Sequence, residues 1–274
     1  MHGWALDWAA LRAPRDEAPA EGLRERKKRE TRRLLVNTAT ELFLARGFDA
    51  VRVADVAEAA GVSEKTVFNY FPAKEALILD RPDATLAALR AELGDPRRTP
   101  VEAVLRILAA ELAAVTAWLD DQGDRRAAAT GFHRYGELIR STPALAAYQR
   151  DLRDELADGA ARLLAERSGR AAADPEPQLA ATALVALWRV QFASLARHIG
   201  GAGATDRTPA RLRGAVTTDV LRAARLLESG VGSFARTRRP AGKDTAPPTT
   251  RVKNPAVDSA RGTKPARPAR RSGT

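Results

Sequence analysis

The chain has no cysteine at any of its 274 positions. Disulfides, thiolate metal sites and a cysteine nucleophile are therefore excluded. The three histidines, His2, His133 and His198, are far apart in sequence and join no acidic cluster, so no metal site is expected. No apolar run of about 18 residues or more occurs, so the sequence predicts no membrane span. Met1–Ala20 carries acids and prolines where a secretory leader has a basic start and an apolar run, so it does not read as a signal peptide. No glycine-rich phosphate loop or G-x-S-x-G elbow is found. The expectation is a cytoplasmic, nucleoid-associated chain that is not an enzyme, with no catalytic residue, cofactor or metal.

What is present is charge, unevenly placed. The net charge is +11. Residues 24–74 carry 11 basic and 7 acidic groups, and residues 75–235 carry 21 of each. Residues 236–274 carry 11 basic and 2 acidic groups, a net +9. A basic N-terminal module, a neutral body and a basic tail suit a nucleic-acid partner. For the tail, a purely solubilising role is an equally open reading.

Ala, Leu, Arg and Glu dominate and β-branched alternation is rare, so the body reads as helix throughout. Thr-Pro pairs at Thr99, Thr142 and Thr208 mark helix starts, because Thr caps free amides and Pro tolerates the first helical position. Glu102 completes a capping box with Thr99. Gly123, Gly169 and Gly200-Gly201 mark helix ends. The predicted helices span 24–46, 53–60, 63–70, 74–93, 100–121, 125–140, 143–168, 176–199 and 208–229. Residues 1–22 read as a flexible extension despite Trp4 and Trp8. Residues 23–80 form a DNA-binding domain, 81–235 a helical body, and 236–274 a disordered basic tail.

The most specific segment is Val51–Phe71. Leu35, Val36, Ala39, Leu42 and Phe43 make one apolar stripe on the first helix, and Val53, Val56, Ala57 and Ala60 make a second, shorter one. Gly61 breaks the chain and Ser63 can cap a third helix. Two short helices around a glycine turn are the helix-turn-helix pattern, here over about residues 52–71. On the third helix Val67 and Phe71 should face inward, while Lys65 and Asn69, four apart, face outward, flanked by Thr66, Phe68 and Tyr70. Lys can donate to guanine or phosphate, and Asn can pair twice with adenine. The run Arg24–Arg29 suits phosphate contact, and equally a solvated helix start.

These residues resemble the TetR family of bacterial transcriptional regulators. The similarity is carried by Ala57-Glu58-Ala59-Ala60-Gly61-Val62-Ser63, by Thr66-Val67-Phe68-Asn69-Tyr70-Phe71 and by Lys74-Glu75-Ala76-Leu77. It covers about the first third of the chain. The resemblance implies an all-α homodimeric repressor. Its N-terminal helix-turn-helix domain would be joined by a long fourth helix to an effector-binding and dimerisation domain. It also implies DNA contacts from Arg52, Ser63, Lys65, Thr66, Phe68, Asn69, Tyr70 and Lys74, the last to a phosphate. Two positions depart from the family pattern. Arg52 stands where a capping Thr is common, so that cap is expected to be lost. Lys65 stands where Gly or Arg is common, which should change the operator that is read.

In the body, residues 176–199 are almost wholly apolar, implying burial on all sides. The final helix carries Leu212, Val216, Val220, Ala223 and Leu227 on one side. These two helices are the expected dimer interface, which would set two reading helices about 34 Å apart on a pseudo-palindromic double-stranded DNA operator. Trp118, Phe132, His133, Tyr135, Trp188, Gln191 and Phe192 are candidates for a small-molecule effector pocket, or else core residues with satisfied polar ends. A different class of function, a basic architectural DNA-binding protein driven by its tail, stands as the alternative.

Overall fold

The computed structural model describes residues 22–79, 83–122, 124–200 and 208–230. The expectations for the N-terminal extension, for Gly123 and Gly201, and for the basic tail fall outside the described residues. Over the described residues the protein is all-α. Three helices come first: α1 (Leu23–Arg46), α2 (Val53–Ala59) and α3 (Glu64–Tyr70). After a 3₁₀ turn (Glu75–Leu77) follow α4 (Asp83–Leu93), α5 (Pro100–Asp121), α6 (Arg125–Ser141) and α7 (Pro143–Ser168). The last two are α8 (Pro175–Gly200) and α9 (Pro209–Ser229).

The punctuation works through identifiable bonds. Thr99 accepts from the Glu102 amide at 3.2 Å while Glu102 accepts from the Thr99 amide at 2.7 Å, completing the capping box of α5. Thr208 accepts from the Arg211 amide at 3.3 Å. Gly169 ends α7 with a φ of 68°, a conformation that favours glycine. Thr142 differs from its two counterparts. It starts α7 but its side chain makes no capping bond; the same residue also closes α6, its amide donating to the Leu138 carbonyl at 3.1 Å.

One expected element is not continuous. In place of a single helix over 74–93 there is the 3₁₀ turn and, separately, α4. Ile78 and Leu79, just after the turn, are buried against the N-terminal helices instead of extending a helix.

Two apolar cores result. The first joins Leu35, Ala39 and Phe43 of α1 to Val56, Val67, Phe71 and Leu77, and takes in Ile139 of α6 and Leu145 of α7. The second fills the body. Here α8 packs against α5, α6, α7 and α9, and α4 lies between α5 and α7. Gly159 of α7 permits the close α4–α7 approach, since an added Cβ would sit 2.2 Å from Leu86 Cδ2.

By length and composition, Pro175–Ile199 would pass for a membrane-crossing helix, with a mean hydropathy of 1.5. It is the central helix of the body: Leu184, Leu187, Trp188, Leu195 and Ile199 are buried in the core. Burial on all sides does not hold. Leu179 is 73% exposed, and Ala186 and Ala193 are exposed on the same face. One apolar face of α8 is therefore uncovered in a single chain.

Candidate nucleic-acid interface

The interface is built from α3 and the turn that presents it. At the end of α2 the Gly61 amide donates to the Glu58 carbonyl (3.1 Å) and the Val62 amide to the Ala57 carbonyl (2.9 Å). This paired arrangement needs a left-handed residue, and Gly61 supplies it with a φ of 68°. Ser63 then caps α3, its hydroxyl accepting from the Thr66 amide at 3.1 Å and lying 2.9 Å from the Thr66 hydroxyl. The entry direction of α3 is thus fixed by backbone bonds on one side of the turn and a side-chain cap on the other.

Its two faces separate as the spacing predicts. Val67 and Phe71 are each 1% exposed. Lys65, Phe68 and Asn69 are exposed, and Thr66 and Tyr70 are half-buried. Phe68 stands out because a phenyl ring 52% open to solvent contributes nothing to the core.

Arg52 behaves differently from a lost cap. At the third position of α2, Asp55 accepts from the Arg52 amide at 2.7 Å, so the carboxylate half of a capping box is kept. A guanidinium cannot accept from the helix amides; instead it pairs with Asp55 at 2.9 Å. That pairing, first through the side chain and then through the Arg52 amide, holds the Asp55 carboxyl below its usual range and raises Arg52. The guanidinium itself remains 80% exposed.

Lys74 has a contact that sequence reasoning missed. Its Nζ donates to the Phe48 carbonyl at 2.6 Å and lies 4.1 Å from the Phe48 ring centre. Arg32 was also missed. It donates to the Tyr70 carbonyl at 3.2 Å and stacks on Phe71 at 4.4 Å, supporting the C-terminal end of α3 from α1. The signal was a cation set among the apolar positions of α1. The basic run Arg24–Arg29 lies on the first turns of α1 and is exposed throughout.

The body holds this module through α6. Tyr135 donates from its hydroxyl to the Ile78 carbonyl at 2.7 Å, and Arg134 donates to the Leu44 carbonyl at 2.7 Å. The seven pocket candidates fall in more than one environment, four of them at the body core. Tyr135 packs against the N-terminal core and His133 is exposed. Trp118, Phe132 and Phe192 are half-buried against the body core. Trp188 donates to the buried carboxylate of Glu111 at 3.0 Å. Gln191 alone of the seven lines a cleft among α5, α8 and α9. No cluster of metal-ligating side chains exists among the described residues.

Comparison with known proteins agrees with the geometry. A family model described as bacterial regulatory proteins, tetR family, matches residues 35–80, which hold all of α2 and α3. The chain is 33% identical over 153 residues to the HTH-type transcriptional regulator TcmR of Streptomyces glaucescens, covering 54% of this chain and 65% of TcmR. It is 30% identical over 166 residues to MftR of Mycobacterium tuberculosis, a transcriptional regulator named for mycofactocin biosynthesis, covering 60% of this chain and 78% of MftR. Among solved structures it is similar to Thermus thermophilus FadR in complex with lauroyl-CoA. That similarity has 25% identity and a TM-score of 0.42, over 78% of this chain and 100% of the other.

Proposed function

The chain belongs to the TetR family of bacterial regulatory proteins, and from that premise we propose that it is a sequence-specific, DNA-binding transcriptional repressor acting in the cytoplasm. The observation that carries this is α3: an exposed Lys65, Phe68 and Asn69 in front of a buried Val67 and Phe71. Such a helix, set by a rigid turn and a capped start, is suited to enter a major groove and offer donors to base edges. Lys65 and Asn69 read bases, and Thr66, Phe68 and Tyr70 contact thymine methyls, sugars or phosphates. Ser63 positions the helix start. Arg52, exposed at the start of α2, reaches a phosphate. Lys74 steadies the module through Phe48 and lies close enough to its surface to favour the same backbone.

Residues 23–80 act as the reading head and 81–235 as the body, with the basic tail adding sequence-independent affinity. Two chains pair through α8 and α9, where the uncovered Leu179, Ala186 and Ala193 face finds its cover. A small effector binding the body would release the operator by favouring a different spacing of the two heads. The α6 bonds to Ile78 and Leu44 give that change a physical route.

The test is binding of the full chain to its own upstream region, compared with Lys65→Ala and Asn69→Ala. Each variant is expected to weaken specific binding while leaving affinity for an unrelated duplex unchanged. Equal affinity and equal sequence preference in all three proteins would reject the assignment. It would instead favour the tail-driven, architectural reading.

A further inference from the structure

A cleft of about 540 Å³ opens on the body among α5, α8 and α9, edged by the segment just before α5. Sites for small organic molecules fall in about this range, 300–1,000 Å³. The floor is apolar. Leu105, Leu108 and Leu112 come from successive turns of α5, and Val220 and Leu221 from α9. Leu221 is 37% exposed, an open apolar surface facing a concavity.

Gln191 of α8 lines the same cleft and is only 3% exposed. Its side-chain amide carries a donor and an acceptor and, lining the cleft, can offer both to an occupant. The rim carries Arg97, Arg98 and Arg106, with Asp95 lying 3.4 Å from both Arg97 and Arg98, and Glu102 engaged with the Thr99 amide. Arg98 and Arg106 both donate to one oxygen of Glu92, at 2.8 and 3.0 Å. A guanidinium has five donors, so each retains several, and Arg106 is 59% exposed. Forked donors of this kind match a planar carboxylate.

We propose that this cleft binds a small organic anion with an apolar body and one carboxylate head. The body lies on α5 and α9, the head meets Arg98 and Arg106, and Gln191 bonds a polar atom of the ligand. As the effector site of the repressor, the cleft rests on the reading given above; as a binding site it stands without DNA.

Calorimetric titration of the full chain with decanoate, and with decan-1-ol as its uncharged counterpart, tests this. The wild type is expected to bind decanoate at least about tenfold more tightly than the alcohol. Arg106→Gln should remove most of that preference while alcohol binding persists. Ala109→Trp, at an exposed cleft position of α5, should block both ligands with the helical circular dichroism unchanged. Leu221→Asp gives a second variant, expected to repel decanoate. Absent decanoate binding, equal binding of acid and alcohol, or undiminished binding by the cleft variants would overturn the proposal. No DNA is present, so failure here is distinct from failure of operator recognition.

Discussion

Asn69 and Lys65 illustrate how much a single side chain can decide. Both are exposed on α3, so replacing either with Ala removes no core contact. Loss of one good base contact corresponds to about 1–3 kcal/mol, or roughly five- to 150-fold in operator affinity, readable by fluorescence anisotropy. Their outward placement was legible because a four-residue spacing on a helix fixes the face. Arg52, Lys74 and Arg32 were not legible in the same way. Each reaches a partner that the helical period does not specify: a carboxylate in the next turn, the Phe48 carbonyl and the Tyr70 carbonyl. Trp188 makes a similar non-local bond. Trp188→Phe would leave the buried Glu111 carboxylate without its indole donor, and a loss of about 1–3 kcal/mol is expected by denaturant unfolding.

Asp219 adds a residue whose effect depends on pH. It accepts from Ser194 at 2.7 Å and lies 3.3 Å from His198 and from Arg197. The Ser194 bond first, then His198 and Arg197, hold its carboxyl below the usual range. The folded chain therefore favours the ionised form. That contribution is complete above the ordinary carboxylate value of about 3.9 and is lost as pH falls through the lowered one. Asp219→Asn should flatten the acid side of a plot of melting temperature against pH; an unchanged acid limb would show that the α8–α9 clamp does not act this way.

At the scale of elements, the close pairing of α4 with α7 is the most exposed to test. Gly159→Ala places a Cβ against the Leu86 side chain, which must move. Overpacking costs about 1–3 kcal/mol and about 1 kcal/mol is returned because Ala replaces Gly inside a helix, so a net loss of up to about 2 kcal/mol is expected as a lowered unfolding midpoint. Adding Leu86→Ala should recover part of the loss, because it removes the clashing methyl. Helix limits were readable nearly throughout from Thr-Pro starts and glycine ends, since capping chemistry is local. The α3 entry was readable for the same reason, through Gly61 and Ser63. The break between the 3₁₀ turn and α4 was not. The apolar period runs through both pieces, and the burial of Ile78 and Leu79 in the N-terminal core depends on packing far away in sequence.

On the proposed reading the whole molecule divides its affinity between an address and a charge. If the net +9 of residues 236–274 acts through phosphates, deleting them should lower the slope of log affinity against log salt. Operator preference should survive that deletion if, as proposed, the base-reading groups are those of α3. Tyr135 and His133, apart from Trp118, Phe132 and Trp188 at the body core, show where sequence reading stops. Aromatic type does not say which core a side chain joins, and Tyr135 joins the N-terminal one. The central claim is that the outward face of α3 selects sequence, and in vitro selection from random duplex DNA measures it most directly. The wild-type chain should enrich a pseudo-palindrome with half-sites about one helical turn apart or a multiple of it. A Lys65→Ala, Asn69→Ala double variant should lose the same bases from both halves. No enriched motif, or the same motif from both proteins, would contradict the account.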